Sequence, residues 1–217
     1  MNEKIVIGGF ASDTHQIQTV CKKLSEYYDE DVAGMNFREA RQNQSRLAHL
    51  IKNREVITHS AGFVALQAAL SEWQAEPESI VAVAPPVPER IRRLVWRGFL
   101  IGAQGVINER GDPDHSLREE LIRHARDNFG ALPLISRFNA FDAAFLDATH
   151  GIPTTVATMK QDRLFPERLY LIDEMMNRAR KIGTKVIGLT GDHLRFTHEP
   201  VEVMAEIDRM RILEAAV

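Results

Sequence analysis

Glu55-Val56-Ile57-Thr58-His59-Ser60-Ala61-Gly62-Phe63-Val64-Ala65-Leu66 is the most informative stretch of this chain. A β-branched run ends at a serine, and a small-residue helix begins at Ala61. The arrangement matches G-x-S-x-G, in which the serine sits on a sharp strand-to-helix turn. Backbones of strand and helix converge at such a turn, so the residues two before and two after the serine must be small. Gly62 meets that need after the serine; before it Thr58 stands where glycine is usual. The bland reading is an ordinary strand–helix turn with a capping serine, so the pentad needs partners elsewhere in the chain.

Working outward, short β-branched runs alternate with amphipathic segments. Strands are expected at Lys4–Gly8, Asp31–Phe37, Arg54–His59, Ser79–Ala84, Thr154–Met159 and Lys185–Leu189. Most are continuous apolar runs, as suits strands covered on both faces. Ile17, Val20, Cys21, Leu24, Tyr27 and Tyr28 trace one face of a helix opened by Ser12 or Asp13. Pro166 suits the first turn of a helix running to about Arg180, with Gly183 beyond its end. Pro200 begins a last helix, with Met204, Ile207, Met210 and Leu213 as its core stripe. Such alternation specifies an α/β architecture: a mainly parallel sheet of six strands between two helical layers.

One region breaks this rhythm. After Pro85-Pro86-Val87-Pro88, about 60 residues precede the next strand, far more than an ordinary connection. Ser116-x-x-Glu119 reads as a capping box ahead of Leu121, Ile122, Ala125 and Phe129, with Gly130 as the stop. Phe138, Phe141, Phe145 and Ala148 line one side of a second helix. Residues 88–150 are therefore expected to form a helical lid inserted in a single domain spanning 1–217. The Phe stripe either lines an apolar acyl pocket or docks the lid, and helical spacing favours docking. Arg90, Arg92, Arg93 and Arg97 around Trp96 read as an exposed helix face.

A serine hydroxyl needs a base to take its proton and an acid to orient that base. Both follow in chain order. Asp162 lies in the loop leaving the Thr154–Met159 strand. His193 lies in the loop leaving the last strand, ahead of the Glu199-Pro200 that starts the final helix. With Ser60, all three fall at the C-terminal edge of the expected sheet, where open α/β folds place their sites. His198 is a rival base, five residues on. His59 should point away from the nucleophile's face and pack. Asp192 adjoins His193 too closely to orient it comfortably, while Asp142 and Asp147 belong to the insert. No carboxylate follows Ala84 before Glu89.

Elbow, acid loop and Gly191-x-His193 before Glu199-Pro200 together resemble the α/β-hydrolase superfamily, and the resemblance spans nearly the whole chain. It implies Ser60 as nucleophile, His193 as general base and then acid, and Asp162 as orienting acid. It further implies an oxyanion loop at Ile7-Gly8-Gly9-Phe10-Ala11-Ser12, with backbone N–H donors from Phe10 and Ala61. Thr58 for Gly, Met159 in the acid's loop and Asp192 before the histidine depart from the usual pattern. The expected activity is hydrolysis of an ester, thioester or related acyl substrate through an acyl-enzyme. A ligand-binding or receptor module, or a cofactor-free lyase or peroxidase, is the alternative use of the same pocket.

Composition narrows the field further. In 217 residues, 27 Lys+Arg face 30 Asp+Glu, a formal net charge of −3. Nucleic acid as main partner would require an excess of cations. Cys21 is the sole cysteine, so no internal disulfide forms, and no His-x-x-x-His or Cys-x-x-Cys spacing points to a metal. Neither cofactor nor metal is expected. Gly8-Gly9-Phe10-Ala11-Ser12 fails the dinucleotide pattern G-x-G-x-x-G. No apolar run approaches the roughly 18 residues of a membrane span, nor does the start of the chain resemble a signal peptide. A cytoplasmic protein acting on a small acyl compound, with no nucleic-acid or membrane partner, is expected. With about 60 residues in the lid, the remainder suits a trimmed six-strand core.

Overall fold

Six apolar runs form six strands in the computed structural model, which describes residues 4–9, 12–85, 149–162 and 183–215. The strands are β1 (Lys4–Ile7), β2 (Val32–Met35), β3 (Glu55–His59), β4 (Ser79–Val83), β5 (Thr154–Met159) and β6 (Lys185–Leu189). They make one sheet in the order β2-β1-β3-β4-β5-β6, and every neighbouring pair is parallel. Parallel neighbours need crossover connections, which place helices on both faces. The observed strands are slightly shorter than the apolar runs, because Asn36 is taken by a helix cap and Gly8 and Ala84 enter loops.

Alternation along the strands sorts the core into two layers. Ile5, Ile7, Val56, Ile80, Ala82 and Val156 face α2 (Phe37–Gln42), α3 (Gln44–Ile51) and α4 (Gly62–Trp73). Val6, Ile57, Val81, Val83, Ala157 and Met159 face α1 (Thr14–Tyr28), α5 (Arg195–His198) and α6 (Pro200–Ala215). Each fully buried Val, Ile, Leu or Phe contributes about 1.5–3 kcal/mol of burial free energy, so both layers hold the sheet. Residues Gly62 to Leu70 of α4 are buried without exception, which explains why that helix shows no polar stripe.

Helix α1 begins where expected. The Asp13 side chain accepts a hydrogen bond from the Gln16 N–H at 2.7 Å, satisfying an otherwise unpaired donor of the first turn. Ile17, Val20, Cys21 and Leu24 are buried, while Tyr27 is exposed. The α6 stripe is shorter than its spacing predicts: Met204 and Ile207 are buried, but Leu213 and Ile212 stand exposed. The expected lid and the helix at Pro166 lie outside the described residues.

Candidate active site

β1 has β2 on one side and β3 on the other, so the chain reverses its direction of winding between β1 and β3. Open α/β sheets leave a crevice at the C-terminal ends of such strands. Gly8 and Gly9 leave β1 there, and Ser60 leaves β3. Ser60 adopts a left-handed φ of 50°, a conformation costing a non-glycine residue about 1–3 kcal/mol. Three bonds hold it. The Ser60 N–H donates to the Val83 carbonyl at 2.9 Å, and its own carbonyl accepts from Phe63 at 3.1 Å. The Ser60 hydroxyl meets His193 Nε2 at 2.9 Å.

Gly62 shows why the elbow demands a small residue. A Cβ there would collide with the carbonyl oxygens of Ile7 and Gly8, which are backbone atoms of the sheet and cannot yield. Gly9 is less tightly confined, but a Cβ on it would still lie only 3.0 Å from the Ser60 Cβ. Thr58, where the motif has glycine, is fully buried between Ile7 and Ala82 in the register of the sheet. Its hydroxyl has no hydrogen-bond partner among the described residues.

The acid and histidine loops are joined before their functional side chains meet. The Lys160 N–H donates to the Leu189 carbonyl at 2.9 Å, and the Gln161 N–H to the Gly191 carbonyl at 3.0 Å. Gln161 Oε1 accepts from the Gly191 N–H in return. Gly191 has φ 108°, which favours glycine. Asp192 turns the next step, its carboxylate accepting from the Leu194 N–H at 3.0 Å. Held this way, His193 Nδ1 lies 2.8 Å from Asp162 Oδ2. Asp162 and His193 are both buried. A carboxylate accepts, so Nδ1 carries the proton and the Nε2 lone pair is left facing Ser60.

The structure therefore brings Ser60, Asp162 and His193 together in one hydrogen-bonded chain. Ala61 adjoins them at the N-terminus of α4, where the first helical N–H groups lack intrahelical acceptors. Phe10, the other expected donor, lies outside the described residues. His198 is exposed, and its carbonyl accepts from Lys23 Nζ at 3.1 Å. His15 is exposed on α1. Among the described residues no cluster of His, Cys, Asp or Glu could hold a metal ion, and no helix is long and apolar enough to cross a membrane.

His59 corrects the expectation of simple packing. Its ring does lie against Phe196, with centroids 5.6 Å apart. It also lies 5.1 Å from the His193 ring and makes a 2.8 Å hydrogen bond from Nε2 to the His193 carbonyl. Strand alternation puts His59 on the same face as Ile57, and α5 carries Phe196 onto that face. Position in the strand foretold the direction; nothing in the local pattern foretold which loop would arrive there. Burial, with the neighbouring His193, pushes the His59 imidazole down to about 3.

By sequence, the chain matches no protein-family model and no curated protein. Solved structures are nevertheless similar over almost its whole length. A carboxylesterase from the ammonia-oxidizing thaumarchaeon Nitrososphaera gargenis has a TM-score of 0.61 at 12% identity, covering 100% of this chain and 92% of that one. A serine hydrolase involved in carbazole degradation has a TM-score of 0.61 at 11% identity, covering 98% and 92%. The thioesterase domain from the curacin biosynthetic pathway has a TM-score of 0.56 at 12% identity, covering 94% and 89%. With the all-parallel six-strand sheet, these likenesses show an α/β-hydrolase fold. A fold hosts many chemistries, so the reaction is argued from the site.

Proposed function

We propose that the protein is a serine hydrolase cleaving an ester, thioester or related acyl substrate. One observation carries the proposal: the unbroken chain from Asp162 Oδ2 through His193 to the Ser60 hydroxyl, with bonds of 2.8 and 2.9 Å. As the Ser60 oxygen attacks the substrate carbonyl, its proton passes to His193 Nε2. Asp162 stabilises the imidazolium through Nδ1–H without taking the proton. The oxyanion that develops faces the N-terminus of α4, where the Ala61 N–H and the helix dipole favour negative charge. Collapse of the tetrahedral species releases the alcohol or thiol, which takes the proton from His193. Water then attacks the acyl-enzyme, again giving a proton to Nε2; the second tetrahedral species breaks its bond to the Ser60 oxygen, which takes that proton back, and the carboxylic acid leaves. The cycle closes with the chain's own residues and water.

The esterases and the thioesterase among the similar folds support this reading of the bond cleaved. It is tested by turnover of p-nitrophenyl esters over a range of acyl lengths. Ser60→Ala and His193→Ala should each lose ~10⁴–10⁶-fold in kcat while remaining folded. His198→Ala should keep its activity. Unchanged turnover in Ser60→Ala would overturn the assignment, and loss in His198→Ala with retention in His193→Ala would transfer the base to His198.

A further inference from the structure

Building on the serine-hydrolase reading, we infer that His59 is a positioning residue: from the strand that carries the nucleophile, it fixes the backbone of the histidine that activates it. Hydrogen bonds reach His193 from the C-terminal ends of two strands, β5 and β3. Asp162, after β5, holds Nδ1; Ser60, after β3, meets Nε2; His59, the last residue of β3, holds the main-chain carbonyl at 2.8 Å. A carbonyl only accepts, so the His59 Nε2 carries the proton. That tautomer is a neutral donor, and burial with the neighbouring His193 pushes the imidazole down to about 3.

The other bonds around this loop act on either side of His193. Gln161 fixes Gly191, and the Asp192 carboxylate fixes the Leu194 N–H. His59 fixes the residue itself, and it adjoins Ser60 in the chain. Any movement of the elbow is thereby carried to the base, so the spacing between nucleophile and base is set at two points rather than one. The His59 ring meets those of His193 and Phe196, with centroids 5.1 and 5.6 Å from its own, and the two neighbours leave it little freedom to turn. His59 itself is buried, so water cannot readily replace it as the donor.

Three variants separate donation from bulk. His59→Gln places an amide N–H near the position of Nε2. His59→Leu keeps the volume without a donor. His59→Asn is polar but too short to reach, and replaces His59→Leu should the latter fail to fold. The first readout is phosphonylation by a fluorophosphonate and acylation by p-nitrophenyl acetate; the second is the low-field proton NMR resonance of His193 Nδ1–H in the bond to Asp162. His59→Leu and His59→Asn should lose about 10–100-fold in acylation rate and kcat with KM little changed, as expected for a misplaced base. Their low-field resonance should be broadened by exchange or lost. His59→Gln should recover most of both. Folded His59→Leu or His59→Asn with wild-type acylation and an unaltered resonance would overturn the inference, as would His59→Gln impaired as badly as His59→Leu. If the wild-type protein is never acylated, the hydrolase reading falls, and the resonance still decides whether His59 places His193.

Discussion

The two ends of the sheet use the same kinds of side chain to opposite effect. At the C-terminal edge, Ser60, Asp162, His193 and His59 form a chain in which the two imidazoles each have a fixed tautomer and one lone pair faces the serine. At the N-terminal edge, Glu55 is bound by Arg211 at 2.9 Å, by Lys4 at 3.6 Å and by the Ser79 hydroxyl at 2.9 Å. Lys4 also meets Glu30 at 3.0 Å and lies 4.5 Å from the centre of the Tyr28 ring. The Tyr28 hydroxyl donates to Asp208 at 3.0 Å. Burial alone would raise the Glu55 carboxyl, but Arg211 and Lys4 outweigh it and hold the group below its ordinary range. Asp208 is shifted the other way, raised by burial and by the nearby Glu55 charge. The N-terminal network ties β1, β3 and β4 to α1 and α6 with several partners per charge. Its opposite number runs from Asp162 through His193 to a serine with a left-handed φ of 50°. One edge is a network of opposed charges; the other is the chain along which the proposed function would pass a proton.

Breaking each edge separately should give effects of different size and kind. Asp162→Asn leaves the shape of the site intact but disturbs the tautomer of His193, so kcat should fall about 10⁴-fold with little change in melting temperature, as steady-state kinetics and calorimetry can establish. Arg211→Met keeps the stem and removes the charge from Glu55. Urea titration should show about 1.5–3 kcal/mol less stability with kcat unchanged. The stabilisation from a carboxyl held below its ordinary value of 4.5 is present above that pH and fades as pH falls through the folded-state value. The Arg211→Met loss should therefore shrink in acid. His59 has the most specific signature. Unfolded, it takes up a proton below about 6.5, whereas the folded group resists until about 3. The unfolded state thus binds more protons across that window, and stability drops as pH falls. His59→Gln should flatten this limb of the melting-temperature profile, and an identical slope in both proteins would count against a buried neutral imidazole.

Much of the sheet was legible because its signal is local. Six apolar runs became six strands, each within a residue or so of its expected bounds. Their order in the sheet is set by pairings distant in sequence and could not be read. The two helices between β2 and β3 escaped for a different reason, being only 6 and 8 residues long. Asn36-x-x-Glu39 does mark the first: its two capping bonds are 2.9 and 3.2 Å, a signature that a search for longer periodic stretches passes over. Ser60, Asp162 and His193 could be singled out by type, order and sheet edge, but the contacts that bring them together span 133 and 31 residues. The His59 bond spans 134, and no pattern around Thr58-His59-Ser60 contains the loop that it meets. The expected lid over 88–150 and the Phe10 donor fall outside the described residues.

The proposed function requires Ser60 to be an activated nucleophile. Fluorophosphonate probes of several sizes, followed by intact-mass analysis and peptide mapping, test it most directly, since phosphonylation needs an activated serine oxygen beside an oxyanion site. An activated Ser60 should give one adduct per chain, located on Ser60, abolished in Ser60→Ala and strongly slowed in His193→Ala. A folded protein that none of the probes modifies, or an adduct that persists in Ser60→Ala, would contradict it.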